Sequence, residues 1–284
     1  MEQNQIEALF KDPGLMDRRN IRIEIKEQVT STNDLLKEAA AEGEPEGLVL
    51  VALEQTKGKG RLGRSFYSPR ESGIYLSLLL RPSISAEDAL LLTTSAAVAM
   101  AEAIEDIGGR QIGIKWVNDI YCRGKKVVGI LTESGFRLGE ETQEKNREPR
   151  LDYAVVGIGV NLWEPEGGYP PELQSIAGAI FPYEERPDSF EERDRIRIRL
   201  VAAFLERYFE IYEELPGKGF MESYRKKSLL TGKMVQLRTP GHEVIDTPAV
   251  KVLGIGDEAQ LIVQDQSGHV RYLSTGEVSV TEKI

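Results

Sequence analysis

The chain has 284 residues, 40% of them hydrophobic and 29% charged, enough for one large domain or a medium domain with a small one. A formal charge of −10 has the wrong sign for a general nucleic-acid binder, and no apolar run approaches the roughly 18 residues of a membrane span. The one cysteine, Cys122, excludes an intramolecular disulfide and a Cys-based zinc cluster, and with only His242 and His269 a Ser-His-Asp or Cys-His mechanism is disfavoured.

Residues 1–20 are charged and lack the apolar core of a secretory signal, so a cytoplasmic location is expected. Residues 21–28 alternate apolar and polar, the period of a half-buried strand. Ser31, Thr32, Asn33 and Asp34 offer N-caps to a short helix carrying Leu35, Leu36, Ala39 and Ala40. Gly43, Pro45 and Gly47 end that helix, and L-V-L-V-A-L-E-Q then reads as a largely buried strand to about Gln55. A basic glycine loop leads to another strand at residues 74–81. Ser85 and Asp88 form a capping pattern for a Leu/Ala-rich helix running to about Ile107, which Gly108 and Gly109 stop.

Residues 112–133 read as two strands joined at Arg123 and Gly124, and residues 137–150, charged and without apolar period, as a solvated loop. A buried strand is predicted over 152–162, and an irregular region around Gly167, Gly168, Pro170 and Pro171. From 191 to 215 the helical spacing of Val201, Phe204, Leu205, Tyr208, Ile211 and Tyr212 predicts a long amphipathic helix. Past Gly232, short apolar runs near 233–239, 248–255, 260–265, 269–274 and 277–280 predict a small β-barrel, with the domain boundary near 231–232. His242 and His269 lie beside glycines in turn-like contexts and read as surface residues; Cys122 reads as structural.

The strongest local signal is K-G-K-G-R-L-G-R at residues 57–64. Lys57, Lys59, Arg61, Arg64 and Arg70 fall between 55 and 70 with no acid, a reversal of sign in an acidic protein. Three glycines let backbone N–H groups approach a ligand while the cations offset its charge, which makes an anion-binding loop; the plain alternative is a solvated charged turn. Gly58, Gly60 and Gly63 also satisfy the dinucleotide fingerprint, and G-x-x-x-x-G-R-S is one change from a P-loop. Both require a helix opening after the loop, whereas S-F-Y-S-P-R-E-S-G leads to a strand.

The loop resembles that of the biotin protein ligases, G-R-G-R-x-G-R, standing here as G-K-G-R-L-G-R with Lys59 in place of the first arginine. The exchange keeps the charge and loses planar bidentate donors. Other motifs recur in order: S-T-N at 31–33, E-Q at 54–55, K-W-V-N-D-I-Y at 115–121, K-V-V-G-I-L-T-E at 126–133, G-I-G-V-N at 157–161 and T-G-E-V-S at 275–279. The resemblance spans about residues 21–280. It implies an α+β fold, a mixed β-sheet flanked by helices of the class II synthetase/SH2-like type. Residues 1–231 would form the catalytic biotin- and ATP-binding domain and 232–284 a C-terminal SH3-like barrel.

The resemblance also implies ligation of biotin to ATP, giving biotinyl-5′-AMP and pyrophosphate, then transfer to a lysine of biotin carboxyl carrier protein. Ser31, Thr32, Asn33, Gln55, Lys59, Gly60, Arg61 and Lys126 would serve biotin. Gly58, Arg61, Arg64, Trp116, Asn118, Lys126 and Asn161 would serve ATP, with Mg²⁺ held mainly by phosphates rather than by protein ligands. Arg61, Lys126 and Asp119 would be catalytic, Asp119 by orienting Lys126 or the incoming lysine; it also reads as a turn residue. Trp116 reads equally as a core aromatic or as a wall against a ligand ring. A carboxylate must be brought onto an anionic phosphate, where two unit charges about 4 Å apart repel by roughly 4 kcal/mol at an effective dielectric of 20. Fixed cations meet that demand without a protein nucleophile.

Thirty residues precede Ser31, too few for the winged-helix domain of the family's repressors, so a monofunctional enzyme without operator-DNA binding is expected. A homodimer is possible by family habit. Lipoate ligation, sharing the fold and adenylating logic, is the nearest alternative, and a non-catalytic nucleotide- or RNA-binding module a further one. A NAD-dependent oxidoreductase would require a helix beginning near Gly63.

Overall fold

The computed structural model describes residues 1–108, 110–138, 149–238, 248–274 and 277–280. Two short helices, α1 (Gln3–Glu7) and α2 (Gly14–Arg18), lead into strand β1 (Arg22–Lys26), and Ile6 and Leu15 anchor them in the core. Helix α3 (Thr32–Ala41) starts where the cap pattern predicts, with Ser31 Oγ accepting the Asp34 N–H. Strands β2 (Leu48–Ala52) and β3 (Gly73–Leu80) flank the basic loop. Helix α4 (Ala89–Gly108) follows the Ser85 hydroxyl, which accepts from Asp88 N at 3.1 Å.

Residues 112–133 hold three strands rather than the two predicted: β4 (Ile112–Lys115), β5 (Asp119–Cys122) and the start of β6 (Lys125–Leu138). The predicted turn at Arg123 and Gly124, both with positive φ, joins β5 to β6; W-V-N makes a second turn whose apolar residues hid it. The 137–150 loop is also shorter than expected. Leu138 pairs with Pro149 as β6 runs into β7 (Pro149–Asn161), and 139–148 lie outside the described residues. Helix α5 (Phe190–Glu214) matches its periodicity and is capped by Ser189, and α6 (Met221–Lys227), too short for a periodic signal, follows.

Seven strands form one mixed sheet in the order β1-β2-β3-β7-β6-β5-β4, with only β1 and β2 parallel. Because strand side chains alternate, the sheet carries two different faces. Leu76, Leu78, Val156 and Ile158 face the main core with the apolar sides of α4 and α5. Leu79 and Val155 pack with Leu36 and Ala40 of α3 on the other face. That second face continues past the end of α3, where side chains become small or polar.

Beyond Gly232 come β8 (Met234–Arg238), β9 (Val250–Ile255), β10 (Leu261–Gln264), β11 (Val270–Leu273) and β12 (Glu277–Val280). They form an antiparallel five-stranded sheet ordered β11-β10-β9-β8-β12, at the predicted positions. His269 is exposed in the β10–β11 turn; His242 and the Thr275–Gly276 part of T-G-E-V-S lie outside the described residues. Cys122 is buried. No helix among the described residues is long and apolar enough to cross a membrane.

Candidate active site

The floor is built by strand alternation. Ser77 of β3, Gly157 and Gly159 of β7, and Gly129 and Leu131 of β6 fall on the α3 face. Glycine is required here because other side chains use the space. A Cβ on Gly157 would lie 1.9 Å from Asn33 Oδ1, and one on Gly159 2.4 Å from the Phe66 ring. Asn33, 4% exposed, donates to Leu131 O at 3.2 Å and Glu133 Oε2 at 2.8 Å, and accepts from Ser77 Oγ at 2.6 Å. The Thr32 N–H donates to Gln55 Oε1 at 2.8 Å, and Gln55 Nε2 donates to Ser68 Oγ at 3.1 Å. These bonds satisfy the buried polar groups and fix their rotamers. Ser31, Thr32, Asn33, Gln55, Lys59 and Phe66 line an open cleft above this floor.

The basic loop is a pinched ribbon. Phe66 N donates to Gly58 O at 2.9 Å and Gly60 N to Arg64 O at 2.7 Å, so Lys59 faces Ser65 across a hairpin. At the tip Leu62 (φ 57°) and Gly63 (φ 73°) turn left-handed, and the chain then runs extended toward β3. No helix opens after Gly63, which removes the dinucleotide and P-loop readings and the oxidoreductase with them. The Phe66 ring seats the ribbon on Gly129 and Gly159 and meets Tyr75 edge-on at 6.4 Å.

Three cations are each tethered to a side-chain oxygen. Arg61 Nη1 donates to Asn118 Oδ1 at 3.1 Å, and the Asn118 amide is itself held by Ile130 O at 2.8 Å. Lys126 Nζ lies 2.5 Å from Asp119 Oδ1 and reaches back over Gly129, where a Cβ would stand 3.2 Å away. Lys59 Nζ pairs with Asp34 Oδ1 at 2.5 Å, and Lys37 bridges Asp34 and Glu133. Burial works to raise the Asp34 carboxyl, yet hydrogen bonds from Lys59 and Lys37 hold it below its ordinary 3.8. Arg64 is exposed on the ribbon's outer arm. Asn161 is buried at the end of β7, its amide donating to Gly178 O at 3.1 Å.

Of the sequence-predicted residues, the structure brings Ser31, Thr32, Asn33, Gln55 and Lys59 into the cleft lining. Gly58, Gly60, Arg61, Arg64, Asn118, Asp119, Lys126 and Asn161 stand outside that lining, and Trp116 is buried. Sequence reasoning missed Phe66, Ser68, Ser77 and Glu133. Ser77 gave one signal, a hydroxyl in an otherwise apolar strand; Phe66 gave none, since its partners are glycines distant in sequence.

A family model described as the Biotin/lipoate A/B protein ligase family matches residues 25–161. The bifunctional ligase/repressor BirA of Bacillus spizizenii is 34% identical over 275 residues, covering 92% of this chain and 78% of that protein. The chain belongs to the biotin/lipoate protein ligase family. The biotin–[acetyl-CoA-carboxylase] ligase of Mycobacterium tuberculosis is 27% identical over 267 residues, with 90% and 88% coverage. The biotin protein ligase of Aquifex aeolicus, solved with biotin and ATP, superposes with a TM-score of 0.66 at 27% identity, covering 91% of this chain and 98% of that one. The seven-stranded sheet with its helices is thus the biotin ligase fold, and the five-stranded sheet corresponds to an SH3-like tail. Every sequence-predicted site residue of this ligase family member falls inside the matched segment.

Proposed function

We propose that this chain is an ATP-dependent biotin protein ligase, with residues 1–231 as the catalytic domain and 232–284 as the SH3-like one. The observation that carries the reading is a cleft with a hydrogen-bonded polar floor, Lys59 in its lining and Lys126 reaching over its Gly129, beside the ribbon whose Arg61 is held by Asn118. In the first step a biotin carboxylate oxygen attacks the α-phosphorus of ATP, the bond to the β-phosphate oxygen breaks, and pyrophosphate leaves. In the second, a deprotonated lysine amine of a carboxylase's biotin carrier attacks the mixed anhydride and AMP departs with the bonding pair.

Ser31, Thr32 and Gln55 hold the biotin head, and Asn33 fixes the wall behind it. Arg61 and Gly60 meet the carboxylate, with Lys59 close by on its Asp34 tether. Gly58, Arg64, Asn118 and Asn161 serve the nucleotide. Lys126 offsets the charge developing at phosphorus, and Asp119 orients Lys126. Such donors lower the barrier because their positions are fixed before charge develops. Mg²⁺ would accompany ATP, held mainly by the phosphates, where it would offset their charge.

The test is incubation of the chain with Mg-ATP, a biotin carrier domain and either biotin or lipoate, followed by intact mass measurement. One biotinyl group on the carrier is the expected product. Lipoyl transfer in its place assigns the other branch of the family, and an unmodified carrier with no pyrophosphate release refutes both.

A further inference from the structure

The small C-terminal sheet grips the turn that carries Asn118. Trp116, 4% exposed, donates its Nε1–H to Ala259 O at 2.7 Å. Ala259 is itself fully buried and left-handed (φ 59°), at the turn between β9 and β10. That turn is closed by Ala259 N to Gly256 O at 3.1 Å and Gly256 N to Gln260 O at 2.9 Å, so the accepting carbonyl is held in place.

A second grip comes from α6. The buried Tyr224 hydroxyl donates to Val117 O at 3.1 Å, and its neighbour Arg225 donates Nε–H to Ile255 O at 3.0 Å. The same helix therefore holds the W-V-N turn on one side and the small sheet on the other. Leu229 N donates to Ile114 O at 2.9 Å, and the Leu229 side chain fills the space a Cβ on Gly113 would need, so β4 is fastened too. Next in the turn is Asn118, whose carbonyl accepts from Ile130 N at 2.9 Å and whose Oδ1 receives Arg61.

We propose that the β9–β10 turn and α6 position the nucleotide side of the site, with Trp116 and Tyr224 as positioning residues acting through Asn118 on Arg61. Trp116 is then neither a plain core aromatic nor a wall against a ligand ring: its indole N–H transmits the placement of the small sheet. The inference rests on the ligase reading above and adds the element that sets Asn118. The contacts of the biotin head, on α3 and Gln55, lie outside this linkage, and only the carboxylate shares Arg61, so the loss for biotin is smaller than that for ATP.

The test uses full-length Trp116→Phe and Tyr224→Phe, each removing one donor and keeping a ring. Leaving a buried carbonyl unpaired is worth about a five- to hundredfold change in an equilibrium, with the lower end expected for Tyr224. Biotin-dependent ATP–pyrophosphate exchange should show KM for ATP raised about fivefold or more. Biotin binding by calorimetry should weaken by clearly less than the KM for ATP rises. Folded variants with an unchanged KM for ATP overturn the inference, as does an equal weakening for biotin, which would make both residues merely structural. Should Trp116→Phe fail to fold, Tyr224→Phe decides by the same two readouts. A wild-type chain without exchange refutes the ligase reading itself, an outcome visible before any variant is compared.

Discussion

Gly157→Ala introduces one methyl group at the most crowded point of the floor. Its Cβ would lie 1.9 Å from Asn33 Oδ1 and 2.7 Å from Cγ, so the amide has to retreat by well over an ångström. It cannot swing into solvent, being 4% exposed and bonded to Leu131, Glu133 and Ser77. Overpacking costs about 1–3 kcal/mol, and a buried amide left unpaired a similar amount. Because the same movement causes both, the expected loss of stability is about 2–4 kcal/mol, or roughly 5–15 °C in Tm for a chain of this size. Displacing the start of α3 also moves Ser31 and Thr32, so biotin affinity by calorimetry should fall about tenfold or more. Gly60→Ala is the matched comparison: the nearest atom to its Cβ would be Arg64 O at 3.5 Å, an ordinary contact, and Tm should be unchanged. Adding Asn33→Ala to Gly157→Ala removes the obstructing amide, so the pair should be less destabilised than the two single losses summed. A Gly157→Ala chain with wild-type Tm and biotin affinity would refute the claim that Asn33 and Gly157 share this space.

Arg61→Gly removes the guanidinium joined to Asn118 and should let biotinyl-5′-AMP escape; label on non-carrier lysines, read by peptide mass mapping, should rise severalfold. Retention equal to wild type would remove Arg61 from the clamp. Lys126→Ala should lower pyrophosphate exchange by about 10²-fold or more with Tm nearly unchanged, in the range of other preorganised charge donors. Asp119→Asn should give a smaller loss, because the amine remains and only its orientation is released. Asp34 has a folded pKa below its unfolded value, so its contribution to stability is present above the ordinary 3.8 and lost as pH falls through the lower folded value. The difference in urea midpoint between wild type and Asp34→Asn should therefore be constant near neutrality and shrink only below about pH 4. A difference that vanishes by pH 6 would show that the Lys59 and Lys37 pairs do not hold that carboxylate.

Local rules carried much of the fold. Ser31 and Ser189 cap α3 and α5 because a side-chain oxygen beside an orphan N–H needs only nearest neighbours in the chain. The same holds for the period of α5 and for the short apolar runs of the small sheet. Where the pattern failed, the missing information was partnership. W-V-N was absorbed into a strand because two of its three residues are apolar, and they are apolar because Trp116 and Val117 are covered by α6 and the small sheet. The charged stretch after Phe136 concealed strand residues whose hydrogen bonds come from the neighbouring strand.

Sequence alone determined the chemistry on offer: a flexible cationic ribbon in an acidic chain, S-T-N at a helix start, K-W-V-N-D and G-I-G-V-N at strand ends, and no His or Cys machinery. Those are properties of residue type and short spacing, which the chain carries whether or not it is folded. Tertiary structure decided which groups meet. It turned Asn33 inward onto Gly157, seated Phe66 on two glycines from separate strands, tied Lys59 to Asp34, and joined Trp116 to a carbonyl 143 residues away. Contacts of that kind depend on strand order and on which face a side chain takes, and both are set by burial of the whole core rather than by any local run.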